Sequence, residues 1–113
     1  MTIEQRQEIV KGIYEEAGEI MLSKGKSYAG TGLDSLANFK RNAERLGLSP
    51  FQIWAVYFNK HIDSINSAIQ GNPNDPVDYS ESLRGRILDV INYATILECL
   101  LTESFERKLD NNT

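Results

Sequence analysis

Apolar residues recur along the chain at three- and four-residue spacing, the period of an α-helix with one face turned to a core, and turn signals divide the pattern into four stretches. Ile9, Val10, Ile13, Ala17, Ile20 and Met21 form the first stripe. Thr2 followed by Gln5 has the pattern of a capping box, so a helix is predicted over about 3–23. Leu36, Phe39, Ala43 and Leu46 predict a shorter helix over about 35–46, with Asp34 or Ser35 as cap and Gly47 where a left-handed terminal residue is common. Ser49 and Pro50 form a clear start signal, because proline in the first turn needs no amide partner. Phe51, Trp54, Phe58, His61, Ile65 and Ala68 carry that third helix over about 50–70, to Gly71. The fourth, about 80–108, has its main core stripe on Leu83, Ile87, Val90, Ile91, Ala94, Leu97, Leu101 and Phe105. A second strip, Leu88, Ile96, Cys99 and Leu100, lies on its far side. A helix apolar on both sides is either central in the fold or buried against another subunit. The expected architecture is all-α: a four-helix bundle-like single domain that forms a homo-oligomer.

Between these stretches, KGKSYAGTGLD (Lys24 to Asp34) reads as a loop, and the prolines and asparagines of NPNDPVDYS forbid regular structure. A length of 113 residues suits one domain with a real core, and 41% apolar with 25% charged residues is an ordinary globular composition. The net charge of -4 has the wrong sign for a protein that holds nucleic acid through its phosphates, so nucleic acid is disfavoured as the main partner. A small anion held by a few local cations stays allowed, because site potential is set within a Debye length of about 8–10 Å. With Cys99 as the single cysteine, an intrachain disulfide and a thiol metal cluster are both excluded. The start, MTIEQRQEIV, lacks the features of a signal peptide, and no apolar run reaches the length of a membrane span. A cytoplasmic location without membrane attachment is expected.

The residues that bear on chemistry sit mainly on the last two helices. Positions 81, 85, 89, 92 and 96 share one stripe at about 100° per residue, polar at its start through Glu81, Asp89 and Asn92. Such a stripe suits the lip of a pocket. Glu81 and Asp89 are about 12 Å apart by helical rise, so sharing one magnesium ion needs help from another helix, for which Asp63 is the candidate. A blander reading has Glu81 complementing the helix dipole, Asp89 paired with Arg84, Arg86 or Lys60, and Asn92 and Tyr93 bonding within the core. Lys60 and Asp63 lie opposite Trp54 on the third helix, and the two polar faces are expected to meet so that Lys60 and Asp89 border one cavity. His61 falls on the apolar stripe and reads as a packing residue. Lys24, Lys26 and Tyr28, among glycines, have the makings of an anion-holding segment. In EEAGE, Glu16 and Glu19 lie about 60° apart, close enough to share a metal, although a solvated helix face explains them as well.

Taken in order, Lys24-x-x-x-Tyr28, Asn38-Phe39, Lys60-His61, Glu81-Ser82 and Asp89-x-x-Asn92-Tyr93 resemble the phage nucleotide-modification-associated domains. That family is grouped with the all-α nucleoside triphosphate pyrophosphohydrolases of the MazG and dimeric dUTPase kind. The resemblance spans roughly residues 20–100. It implies an oligomeric helical bundle in the host cytoplasm that binds a small-molecule nucleotide and, with magnesium held by acidic side chains, cuts a triphosphate to monophosphate and pyrophosphate. On that reading Asp89 and Glu81 are catalytic; Glu81 and Asp89, with Asp63 as helper, hold the metal; Lys60 and Lys24 or Lys26 meet phosphates; and Tyr28 or Tyr93 packs on the base. The chain departs from the pattern at Arg86, which stands where E-x-x-D requires a glutamate, and EEAGE lies about seventy residues upstream instead of one helix away. A cation in place of a carboxylate weakens metal binding. The alternative is a non-catalytic protein that sequesters a signalling nucleotide, with Arg86 as a phosphate fork beside Asn92 and Tyr93.

Overall fold

The computed structural model describes residues 1–29 and 34–111, and the side chains of residues 25–29 lie outside the described ones. Four helices form among the described residues: α1 Ile3–Ala29, α2 Ala37–Leu46, α3 Pro50–Gly71 and α4 Leu83–Asn111. The chain is all-α. Local signals account for most of the ends. The Thr2 amide donates to Gln5 Oε1 at 2.7 Å and the Gln5 amide to Thr2 Oγ1 at 3.1 Å, closing the box that opens α1. Ser49 and Gln52 make the same reciprocal pair at α3, with Pro50 in the first turn. Gly47 ends α2 at φ 66°, where an L side chain would be strained, and the Leu48 amide reaches back to the Ala43 carbonyl at 2.9 Å.

α2 starts at Ala37 behind Leu36, which makes no side-chain cap bond, in place of the expected cap at Asp34 or Ser35, and α4 runs on to Asn111. Two further boundaries differ for a visible reason. α1 runs on through Ala29, which corrects the loop expected from Lys24. A lone Gly25 costs a helix only about 1 kcal/mol against alanine, and lysine and alanine around it are good formers. α4 starts at Leu83 instead of Ser80: the Ser82 hydroxyl accepts the Gly85 amide at 3.0 Å as its cap, so Glu81 stays in the linker.

α4 is the middle element, packed on α3 along one side and on α1 along the other. Trp54 meets Tyr93, and His61 meets Asp89 further back along α4, so α3 runs antiparallel to it. Glu16 meets Arg84, and Met21 lies beside Thr95, so α1 runs parallel to it. The core gathers where α2 crosses the pair. Phe39, Ala43 and Ile53 are buried there, with Trp54, Tyr57, Tyr93 and Ile96 packed against them. Phe39 meets Tyr57 and Tyr93 edge to face, with ring centroids 6.1 and 6.5 Å apart. Lys40 ties α2 to the far end of α4 by bridging Asp34 and Glu103; both bonds hold its ammonium above the ordinary lysine value.

The burial of α4 reverses the expected order of its two strips. Leu88, Ile96 and Leu100 of the strip assigned to the far side face the core, while Ile87, Leu101 and Phe105 of the main stripe are exposed. Cys99, on the strip with Leu100, is exposed as well. Both strips are apolar enough to bury, so α4's own pattern does not choose between them. The choice comes from α3 and α2, whose aromatic side chains meet Tyr93 and Ile96.

Candidate functional site

The linker from α3 to α4 is anchored by one turn. Asp78 Oδ1 accepts the Ser80 amide at 2.9 Å, the Ser80 hydroxyl at 2.7 Å and the Glu81 amide at 3.3 Å. Its other oxygen accepts from Arg86 Nε at 3.1 Å. The Ser80 hydroxyl and amide, and then the Arg86 guanidinium, hold the Asp78 carboxyl far below the usual carboxylate range. Arg86, in the second turn of α4, is 8% exposed, and its remaining donors are also engaged. Nη1 lies 3.3 Å from Glu81 Oε2 and 3.4 Å from His61 Nδ1, and Nη2 lies 3.4 Å from Ser80 Oγ. A planar guanidinium suits this arrangement because its donors are fixed in a fork. It joins α3, the linker and α4 at one point.

His61 stands between opposite partners. Its Nδ1 is 3.4 Å from the Arg86 donor and 3.5 Å from Asp89 Oδ2, so a neutral ring can accept from the first or donate to the second, but not both. The ring lies against Tyr93, with centroids 5.1 Å apart.

Behind this clamp, Asp78 and Ser80 also line a groove of about 880 Å³ between α3 and the linker. α3 contributes Lys60, Asp63 and Ser67 to its wall, and the linker contributes Val77 and Tyr79. The volume suits a small organic molecule. Tyr79 is 96% exposed, an aromatic ring standing in water at the lip.

These positions separate the residues read from the sequence into three groups. Lys60 and Asp63 line the groove, but Asp89 is not part of its lining and faces His61 instead, which corrects the cavity expected between Lys60 and Asp89. The helical turn explains it: α3 directs His61 toward α4, so Lys60, about 100° further round, points to the linker. Glu81, Asp89 and Asp63 therefore do not converge, and among the described residues no group of three carboxylate, histidine or cysteine side chains could hold a metal. The magnesium site implied by the resemblance does not fit these residues. Two further assignments are corrected, because Arg86 is buried with its donors engaged and Tyr93 packs in the core, accepting from Trp54 Nε1 at 2.7 Å through its carbonyl. Neither presents itself to a ligand. Asn92 lies on the α1 side of α4, in a small apolar hollow with Tyr14 and Met21, away from the groove. Lys24 is exposed on α1, and the side chains of Lys26 and Tyr28 lie outside the described residues. In EEAGE, Glu16 pairs with Arg84 across to α4 and Glu19 is exposed, so the two do not share a site.

Asp78, Tyr79 and Ser80 are the positions that the sequence pattern left unassigned. Aspartate two residues before serine is a side-chain turn signal, and it sits inside the segment read only as irregular. Nothing local marks Arg86 as its partner. Compared with protein-family models, with curated proteins and with solved structures, the chain gives no match.

Proposed function

We propose that the chain is a non-catalytic binding protein that takes a nucleotide, without a metal ion, in the groove between α3 and the linker. The reading rests on one observation: an almost fully exposed aromatic ring, Tyr79, shares a groove of about 880 Å³ with the Lys60 ammonium and several hydroxyls. A base stacked on an aromatic ring gains about 1–3 kcal/mol, and an ammonium with serine hydroxyls is a natural seat for one phosphate. Asp63 and Asp78 line the same groove, and the chain carries a net charge of -4. A monophosphate is therefore favoured over a triphosphate, whose added charge would face these carboxylates. The hydrolase reading loses support because its carboxylates are held apart, each in an interaction or a setting of its own.

Thermal-shift and calorimetric titration with nucleoside mono- and triphosphates in a chelating buffer tests this. A monophosphate is expected to raise the melting temperature, since a ligand of the native state stabilises it by mass action. Tyr79→Ala and Lys60→Ala, both at exposed positions, are each expected to weaken binding about tenfold while leaving the ligand-free melting temperature unchanged. If no nucleotide shifts the transition, the assignment fails. Binding that needs magnesium, with pyrophosphate released from a triphosphate, would restore the enzymatic reading.

A further inference from the structure

We propose that the groove between α3 and the linker selects guanine, with the Asp63 carboxylate accepting from N1–H and from the N2 amino group of the base. The inference rests on nucleotide binding in this groove, and it names the base. Lys60 and Asp63 both line the groove from α3, three positions and so about 60° apart on the helix. That spacing allows an ion pair. The pair does not form: among the described residues, neither side chain has a hydrogen-bond or ion-pair partner. One open cation and one open anion thus face the same ligand. The ammonium suits the phosphate, which leaves the carboxylate for the base.

The other acid in the groove is already engaged. The two oxygens of Asp78 receive four donors, from Ser80, Glu81 and Arg86, so Asp63 is the lining acid with acceptors to spare. An ionised carboxylate offers acceptors alone. A base laid over Asp63 strips water from it, so the edge that takes the place of the water has to donate.

Among the common bases, guanine sets two donors side by side on its Watson–Crick edge, N1–H and the N2 amino group, at the spacing of two carboxylate oxygens. Adenine and cytosine put a ring-nitrogen lone pair beside the amino group, and uracil flanks N3–H with two carbonyls. Each of those edges turns a lone pair toward Asp63. Asn59 and Asn72 also line the groove, but a side-chain amide carries a donor and an acceptor and turns over to suit any base. Discrimination therefore falls to the carboxylate.

Calorimetric titration of the full chain with nucleoside 5′-monophosphates in a chelating buffer tests the assignment. The wild-type chain is expected to bind guanosine monophosphate about ten- to a hundredfold more tightly than the adenosine, cytidine and uridine compounds, the discrimination of one bidentate pair. Inosine monophosphate, which lacks the N2 amino group, is expected to bind about fivefold more weakly than guanosine monophosphate. Asp63→Asn, at an exposed position, is expected to keep the melting temperature of the ligand-free chain. Its amide sets an acceptor against N1–H and a donor against the C2 carbonyl of xanthine. The variant is therefore expected to prefer xanthosine over guanosine monophosphate by about tenfold, reversing the wild-type order. Losing the negative charge by itself would strengthen every monophosphate alike and leave the order unchanged, and that result overturns the proposal. Equal wild-type affinity for the four common nucleotides, or a preference for another base, also overturns it while leaving the nucleotide groove standing. If no nucleotide binds, the groove assignment and the choice of base fall together.

Discussion

The crossing of α2 with α3 and α4 and the first turns of α1 are both helical and both carry apolar residues at helical spacing, yet they are held in different ways. At the crossing, Phe39 is 3% exposed between two aromatic rings, and the helices are also fastened by Arg86 and Lys40. In the first turns of α1, the bonds among the described residues are the Thr2–Gln5 box and the helix's own backbone bonds. Helix formation is decided within one turn of chain, whereas most helical stability in proteins comes from packing an apolar face. This arm has the first without the second within this chain, and its apolar residues stand in solvent.

Three substitutions separate the two regions, beginning with the largest effect. Phe39→Ala removes a buried aromatic ring and leaves a cavity between Tyr57 and Tyr93; a loss of about 3–4 kcal/mol in chemical denaturation is expected. A loss below about 1 kcal/mol would mean that the crossing is not the core. Arg86→Ala comes next, at about 2 kcal/mol, since Asp78 and His61 lose their common partner.

Acid titration examines the same clamp. Asp78 ionises in the folded chain well below its ordinary value of 3.8, so above about pH 4 its contribution to stability is complete. As the pH falls below that value the unfolded chain takes up the proton first, and the contribution is lost on the way down to the folded value. Asp34, held low chiefly by Lys40, acts in the same sense. The gap in urea midpoint between the wild-type chain and Asp78→Asn should therefore narrow from pH 6 to pH 2; a constant gap would contradict the clamp. The smallest effect belongs to the arm. Ile9→Ala should cost under about 0.5 kcal/mol, as surface changes do. A cost above about 2 kcal/mol would place Ile9 in the monomer's core and remove the contrast.

Much of the fold is legible along the chain, and much of the candidate site is not. Gly47, Ser49 with Pro50, and Thr2 with Gln5 announce their helix ends because each acts on backbone groups a few residues away. That Lys60 lies away from Trp54 is legible in the helical period, but its setting depends on the linker, and the linker's turn depends on Asp78 finding Arg86 eight positions later. Asp89 faces His61 because α3 and α4 cross in one register, which neither helix specifies alone. The carboxylates assigned to magnesium were legible as acids on a stripe. That Glu81 precedes the helix, and that Asp63 faces the groove, follows from a cap at Ser82 and from the rotation of α3.

By itself, then, the sequence determined that this protein is helical and where the caps of α1 and α3 and the glycine end of α2 lie, since these follow from spacing and from hydrogen bonds closed within a few residues. Only the tertiary structure decided which of two equally apolar faces of α4 is buried and which side chains border the groove. It also set the direction in which α1 projects. Those choices are made by residues tens of positions apart, whose mutual burial outweighs any preference a single helix carries.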